Sequence, residues 1–201
     1  DQTLFYPKVL PISEKLHVIV TRNLEAIYDV ATAIRAFSRI KQQFPNARLS
    51  IAGTGPELSQ LQKLTGDLGL TSDVNFTGRL SPQEMAELYQ QADLMLNTST
   101  VDNTPNSIIE SLACGTPVIT TSVGGIPKLV THEHDAYLVD VGDEKAIAEF
   151  AGLIVENEAL RTTIIANGLE TISKFYWENV WRKLYSCYCQ AIEKNKGPSN
   201  V

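Results

Sequence analysis

The chain has 201 residues, 43% of them hydrophobic and 20% charged, with a formal net charge of -6. This is the composition of a soluble globular domain long enough to bury a full core, and no stretch approaches the roughly 20 consecutive apolar residues of a membrane-spanning helix. The negative balance disfavours a nucleic-acid partner, whose phosphates require a basic face, and the opening residues lack the basic-then-apolar pattern of a signal peptide. Small molecules or proteins are therefore the expected partners. The cysteines are Cys114, Cys187 and Cys189, with no C-x-x-C pair. That pattern points to packed thiols in a reducing, cytoplasmic setting rather than to a disulfide framework or a zinc site.

After an irregular lead-in through Pro7 and Pro11, His17 to Arg22 reads as a strand. A helix follows with Val30, Ala33, Ile34, Phe37, Ile40 and Phe44 on one face, ended by Pro45-Asn46. Arg48 to Ala52 is the next strand, stopped by Gly53-Thr54-Gly55-Pro56. Leu58, Leu61, Leu64 and Leu68 then mark the buried stripe of a second helix. Asp73 to Thr77 is a strand, and Ser81-Pro82-Gln83-Glu84 has the spacing of a capping box with proline at the first helical position. Asp93 to Asn97 is a strand, Thr104 to Cys114 a helix and Pro117 to Thr121 a strand. A short helix starts near Gly125, Ala136 to Val139 forms a sixth strand, and the chain is helical from about Asp143. A terminal helix contains Trp177, Val180, Trp181, Leu184 and Tyr185, the aromatic run Phe175, Tyr176, Trp177, Trp181 and Tyr185 reads as a helix-packing surface, and the polar residues beyond Lys194 fray.

Apolar strands alternating with helices predict an α/β fold: a Rossmann-like, doubly wound parallel sheet of about six strands, helices on both faces and a helical C-terminus. Ligands of such sheets sit outside the carboxyl ends of the strands. The stretch from Asp102 to Pro117 leaves a strand, crosses a polar loop and opens a helix near Pro105-Asn106-Ser107. A helix start in that place offers free amides and the positive end of a dipole, the requirements of a phosphate site. Glu110 lies about one turn inside, where a carboxylate can accept from the paired hydroxyls of a ribose, and Asp102 precedes the helix on its loop. His17, His132 and His134 have no metal-ligand spacing, and no metal site is expected.

These residues carry a specific resemblance. DNTPNSIIESLACGTPV resembles the E-G-x-P-N-x-x-x-E-A-x-A-C-G-x-P-V run of the group 1 glycosyl transferases (glycosyltransferase family 4), and Val123 to Pro127 resembles their V-G-G-x-P loop. Ala52 to Glu57 is similar to their G-x-G-P-E turn, and Val74 to Leu80 to the strand and loop around the nucleobase. The first residues, up to Pro7, look like the tail of the linker joining the two halves of a GT-B enzyme. The resemblance spans essentially the whole chain and implies a division into linker end (1–15), nucleotide-sugar-binding C-terminal domain (16–195) and flexible tail (196–201).

It further implies that Glu110 binds the ribose, that Asn106, Ser107 and Ile108 hold the diphosphate, and that Asp102 stands beside the transferred sugar. Arg22, Arg79, Leu80, Gly124, Gly125 and Lys128 complete the implied donor site, with Asp102, Glu110 and Arg22 as the catalytic set. Two positions depart from the family pattern. Asp102 replaces a Glu, and Ile27, beside Tyr28, stands where a Lys usually accompanies the Arg. Lys128 is a candidate substitute for that cation.

The implied activity is retaining transfer of a hexosyl-type sugar from a nucleotide diphosphate sugar to an acceptor, without cofactor or metal ion. The acceptor would bind to an N-terminal half that this sequence lacks, and any peripheral membrane association would run through that half. The chain alone is expected to bind nucleotide weakly and to transfer nothing. Two alternatives stay open: a GT-B relative such as a sugar-nucleotide epimerase or phosphorylase, and a catalytically silent nucleotide-binding domain. A dinucleotide-dependent dehydrogenase is disfavoured because no G-x-G-x-x-G joins the first strand to the first helix.

Overall fold

The structure is a computed structural model that describes residues 2–8 and 15–195, with side chains described as far as residue 192. The expected tail, 196–201, and residues 1 and 9–14 of the expected linker end lie outside the described residues. The strands are β1 (His17–Val20), β2 (Arg48–Ala52), β3 (Val74–Gly78), β4 (Leu94–Asn97), β5 (Val118–Thr121) and β6 (Tyr137–Val139). They form one parallel sheet in the order β3-β2-β1-β4-β5-β6. The helices are α1 (Val30–Gln43), α2 (Leu58–Asp67), α3 (Pro82–Gln91), α4 (Asn106–Ala113), α5 (Ile126–Leu129), α6 (Glu144–Glu156), α7 (Glu158–Ser173) and α8 (Trp177–Asn195). Winding outward in both directions from β1 and β4 makes the sheet doubly wound, with its topological switch point between those two strands.

Strand alternation divides the core in two. Val18, Val20, Leu94, Leu96 and Ile119 face one side with Ile34 and Phe37 of α1 and Ile147 and Ile154 of α6. Ile19, Met95 and Val118 face the other, against Tyr89 of α3, Ile108 and Leu112 of α4, and Ile172 of α7. Both faces are covered, which is why the central strands read as continuous apolar runs. At the start of α3 both halves of the capping box form: Glu84 N–H donates to Ser81 Oγ at 3.3 Å, and Ser81 N–H donates to Glu84 Oε2 at 2.8 Å.

Some boundaries differ from expectation for local reasons. β1 ends at Val20, because Thr21 and Arg22 turn away from the ladder to make side-chain contacts at the site. α4 starts at Asn106 rather than Thr104, since Pro105 at the N-cap disfavours a helical residue before it. In α2 the buried stripe ends early: Leu68 caps the helix and is exposed, and Leu70 reaches the core in its place. α8 departs furthest. Phe175, Trp177, Trp181, Leu184 and Tyr185 are exposed, with Trp181 in ring contact with both Trp177 and Tyr185, whereas Tyr176 packs against the core, so within the described residues only that end of the aromatic run is a packing surface. Cys114 is buried as expected, whereas Cys187, on α8, is exposed.

His17 opens β1 and is buried. Its ring meets Ser50 Oγ at 2.8 Å, the Arg48 guanidinium at 3.2 Å and the Gln91 carbonyl at 3.3 Å. Burial, helped by the Arg48 charge, lowers its pKa from 6.5 to about 4. The unfolded chain therefore takes up a proton near pH 6.5 that the folded chain refuses until about pH 4. Stability contributed by neutral His17 is full above the first value and is lost as pH falls toward the second, by roughly 3 kcal/mol in all. Urea melts at pH 7 and pH 4.5 should show a smaller loss for His17→Gln than for the parent; equal losses would contradict this.

Candidate functional site

The site forms where the loops after β1 and β4 meet, at the carboxyl side of the switch point. Arg22 follows β1, and its guanidinium is held from several directions. One terminal nitrogen pairs with the Asp102 carboxylate, and the other donates to Ser107 Oγ at 3.2 Å. The Tyr28 ring lies 4.1 Å below the guanidinium carbon. Arg22 Nε is buried without a hydrogen-bond partner. Both side chains of the ion pair are largely withdrawn from water, Arg22 being 13% and Asp102 12% exposed. A charge pair this sheltered is costly to break by removing one member.

Ser107 lies in the first turn of α4, and no side chain caps that helix start. The N-cap is Pro105, which has no side-chain acceptor. Asp102 does not serve as the cap; its second oxygen accepts from the Asn103 amide at 2.8 Å. Arg22 and the positive end of α4 thus converge on one place, a field suited to an anion. Asn106 is exposed at the mouth of the site, and Ile108 is buried in the core beneath it.

Glu110 is on the same helix one turn further along. Tyr89 OH donates to its Oε2 at 3.3 Å and is also hydrogen-bonded to Thr21 Oγ1 at 2.8 Å. Partial burial raises the Glu110 pKa, and the Tyr89 hydrogen bond opposes that rise. Burial and the nearby Glu110 charge push the Cys114 thiol up to about 12, so this cysteine is an inert packed group. Tyr89, a buried residue of α3, is not among the residues the sequence singles out. Nothing in local spacing links it to a carboxylate 21 residues on.

The glycine-rich turns support the loops that carry these groups. A Cβ on Gly124, whose φ is +53°, would lie 1.8 Å from the Asp102 carbonyl oxygen, and one on Gly125 would lie 2.3 Å from that of Asn103. Gly125 N–H donates to the Asp102 carbonyl at 3.2 Å. The close approach that requires glycine here is therefore to the Asp102–Asn103 backbone. Gly53 does the same for Arg22, whose carbonyl oxygen would be 2.1 Å from an added Cβ.

The remaining expected donor residues belong to the loop after β3 and to α5. Arg79 and Leu80 follow β3, separated from β1 by β2. Lys128 is exposed and lines a groove with Lys174 and Lys183 beside α7 and α8. Ile27 is 46% exposed and contributes its carbonyl, which accepts from the Thr100 amide at 2.7 Å. Among the described residues no cluster of His, Cys, Asp or Glu suited to a metal ion occurs, and no helix is long and apolar enough to cross a membrane.

Comparison with known proteins agrees with this architecture. Residues 3–171 match the family described as glycosyl transferases group 1. The chain is 30% identical over 187 residues to N-acetyl-alpha-D-glucosaminyl L-malate synthase of Bacillus anthracis, covering 92% of this chain and 48% of that protein. Sucrose-phosphate synthase from Thermosynechococcus elongatus superposes with a TM-score of 0.83 at 26% identity, over 96% of this chain and 51% of the other. HepE of Anabaena, solved in complex with UDP-glucose, gives a TM-score of 0.78 at 23% identity, over 87% of this chain and 50% of its own. The chain thus spans about half the length of the relatives it matches. The match along most of its length, together with a parallel sheet wound about the Arg22–α4 site, places the chain among the group 1 glycosyl transferases, as a domain of the GT-B type.

Proposed function

We propose that this chain binds the nucleotide diphosphate sugar in a retaining glycosyl transfer, with the diphosphate at Arg22 and the start of α4 and the ribose at Glu110. The observation that carries the reading is the hydrogen bond from Arg22 to Ser107 Oγ, which sets a guanidinium against an uncapped helix start. The unpartnered Arg22 Nε is a further donor there. Support also comes from the fold shared with HepE, which was solved with UDP-glucose.

In this reading Arg22 exchanges the Asp102 carboxylate for a phosphate oxygen when the donor arrives. The departing diphosphate gains charge as its bond to the sugar breaks, and the guanidinium and α4 dipole oppose that charge from fixed positions. Asp102, released, is placed to accept from a hydroxyl of the sugar. Acceptor binding is assigned to a second half of the kind that makes the relatives about twice as long, so the chain alone binds donor and transfers nothing. The chemistry needs no metal ion in this scheme, because Arg22 and α4 supply the positive field. One observation favours a second reading, a nucleotide-binding domain without transfer: in the structure Asp102 is committed to Arg22.

Titration calorimetry with the diphosphates of uridine, guanosine and adenosine tests the proposal on the parent and on Glu110→Ala. The parent should bind at least one of them, and the variant should lose about 10-fold in affinity for it. Inorganic pyrophosphate, which lacks a ribose, should bind both proteins alike. A variant that binds the nucleotide as tightly as the parent would exclude Glu110 from the ribose.

A further inference from the structure

We infer that Tyr28 is a positioning residue for the anion site: its ring fixes the Arg22 guanidinium in the orientation that receives the diphosphate. This role rests on the donor-binding reading above. The ring lies 4.1 Å from the guanidinium carbon, within the range of a cation–π contact. Asp102 and Ser107 engage the terminal nitrogens, so the aromatic face is a contact that does not depend on the carboxylate and remains when a ligand draws the guanidinium from it.

The segment carrying the ring is anchored in a manner suited to that task. Tyr28 ends a 3-10 turn, Ala26–Tyr28. The Ile27 carbonyl accepts from Thr100 N at 2.7 Å and from Thr100 Oγ1 at 3.1 Å. Thr98 Oγ1 is 3.2 Å from the Tyr28 carbonyl and donates at 2.8 Å to that of Asp29. Asp29 takes a left-handed conformation, φ 40°, and its carboxylate caps α1 through Thr32 N at 3.3 Å and Thr32 Oγ1 at 2.6 Å. A non-glycine residue persists in that conformation only where its surroundings hold it there. Thr98 and Thr100, at the exit of β4, thus hold the backbone at three successive residues, Ile27, Tyr28 and Asp29, and the ring is presented on a rigid support.

A planar cation against a fixed aromatic face loses little freedom when it binds a phosphate, because its rotamers are already restricted. The site needs such pre-organisation, since Ile27 offers no second charge. The ring is the operative feature, and the phenolic oxygen is not.

The test is a mutant cycle read by calorimetry with the nucleoside diphosphate that the parent binds, alongside the Nε–H resonance of Arg22. Tyr28→Leu should raise Kd by about 5- to 20-fold, and Tyr28→Phe should stay within about 2-fold of the parent. In an Arg22→Ala background Tyr28→Leu should change nothing further. The Arg22 resonance should shift in the leucine variant and hold in the phenylalanine variant. The proposal is overturned if Tyr28→Leu binds like the parent, or if it weakens binding equally with and without Arg22. Thermal melts of both variants show whether a loss reflects unfolding; a weakened phenylalanine variant of parental stability would also overturn it. If the parent binds no nucleoside diphosphate, the donor-site reading fails and takes this role with it, even where the resonance shows the ring holding Arg22.

Discussion

Arg22→Ala should weaken binding of a nucleoside diphosphate by roughly 10- to 100-fold, the range expected for a charge-assisted contact to phosphate. Two changes act in the same direction. The variant removes the cation at the start of α4, and it leaves Asp102, formerly its ion-pair partner, as an uncompensated carboxylate where a phosphate must approach. Neutralising both, in Arg22→Ala with Asp102→Asn, should therefore recover part of the loss. The corresponding nucleoside, without phosphates, should bind parent and variant alike. Calorimetry at low ionic strength measures all of these, since salt would screen the difference. Equal diphosphate affinity of Arg22→Ala and parent would remove Arg22 from the site.

Gly124→Ala carries the second large expectation. The added methyl would lie 1.8 Å from the Asp102 carbonyl oxygen, at a φ of +53° that side chains rarely adopt. Either the loop around Asp102 or the turn before α5 must move. A stability loss of about 2–4 kcal/mol is expected in a urea melt, with weakened nucleotide binding because the loop between β4 and α4 is displaced. Gly142→Ala is the control. Its φ of +80° imposes similar backbone strain, but no atom lies within 4 Å of the added Cβ, so its loss should be near 1 kcal/mol. Similar, small losses in both variants would show that the contact with Asp102 does not constrain the loop.

Much of the fold was legible because the signals were local. The near-unbroken apolar runs of β1 and β4, the β-branched run of β5 and the helical periodicity of α1 predict a parallel sheet covered on both faces, as observed. The capping box at Ser81 and Glu84 formed as its spacing indicates. The failures involve contacts between distant segments. Leu68 fits the α2 stripe by periodicity, but the helix ends before it and Leu70 turns into the core instead. The Trp177–Tyr185 stripe reads as a packing surface, and periodicity cannot say whether a partner surface lies within the same chain.

At the site, Arg22, Ser107 and Glu110 were legible from helix-start physics and family resemblance together. The pairing of Arg22 with Asp102 was not, because it depends on loops 80 residues apart closing on each other. The same holds for Tyr28 and Tyr89. Each is an unremarkable aromatic position in sequence, and its partner is set by how the exits of β1 and β4 and the end of α3 are brought together.

The central claim is that nucleoside diphosphate binds where Arg22 meets α4. Backbone-amide NMR of the chain during titration with the tightest-binding nucleoside diphosphate tests it most directly. The account predicts the largest shifts at Arg22, Asn106, Ser107, Glu110 and the Gly124–Gly125 turn. Shifts confined to the groove of Lys128, Lys174 and Lys183, or absent at saturating ligand, would contradict it.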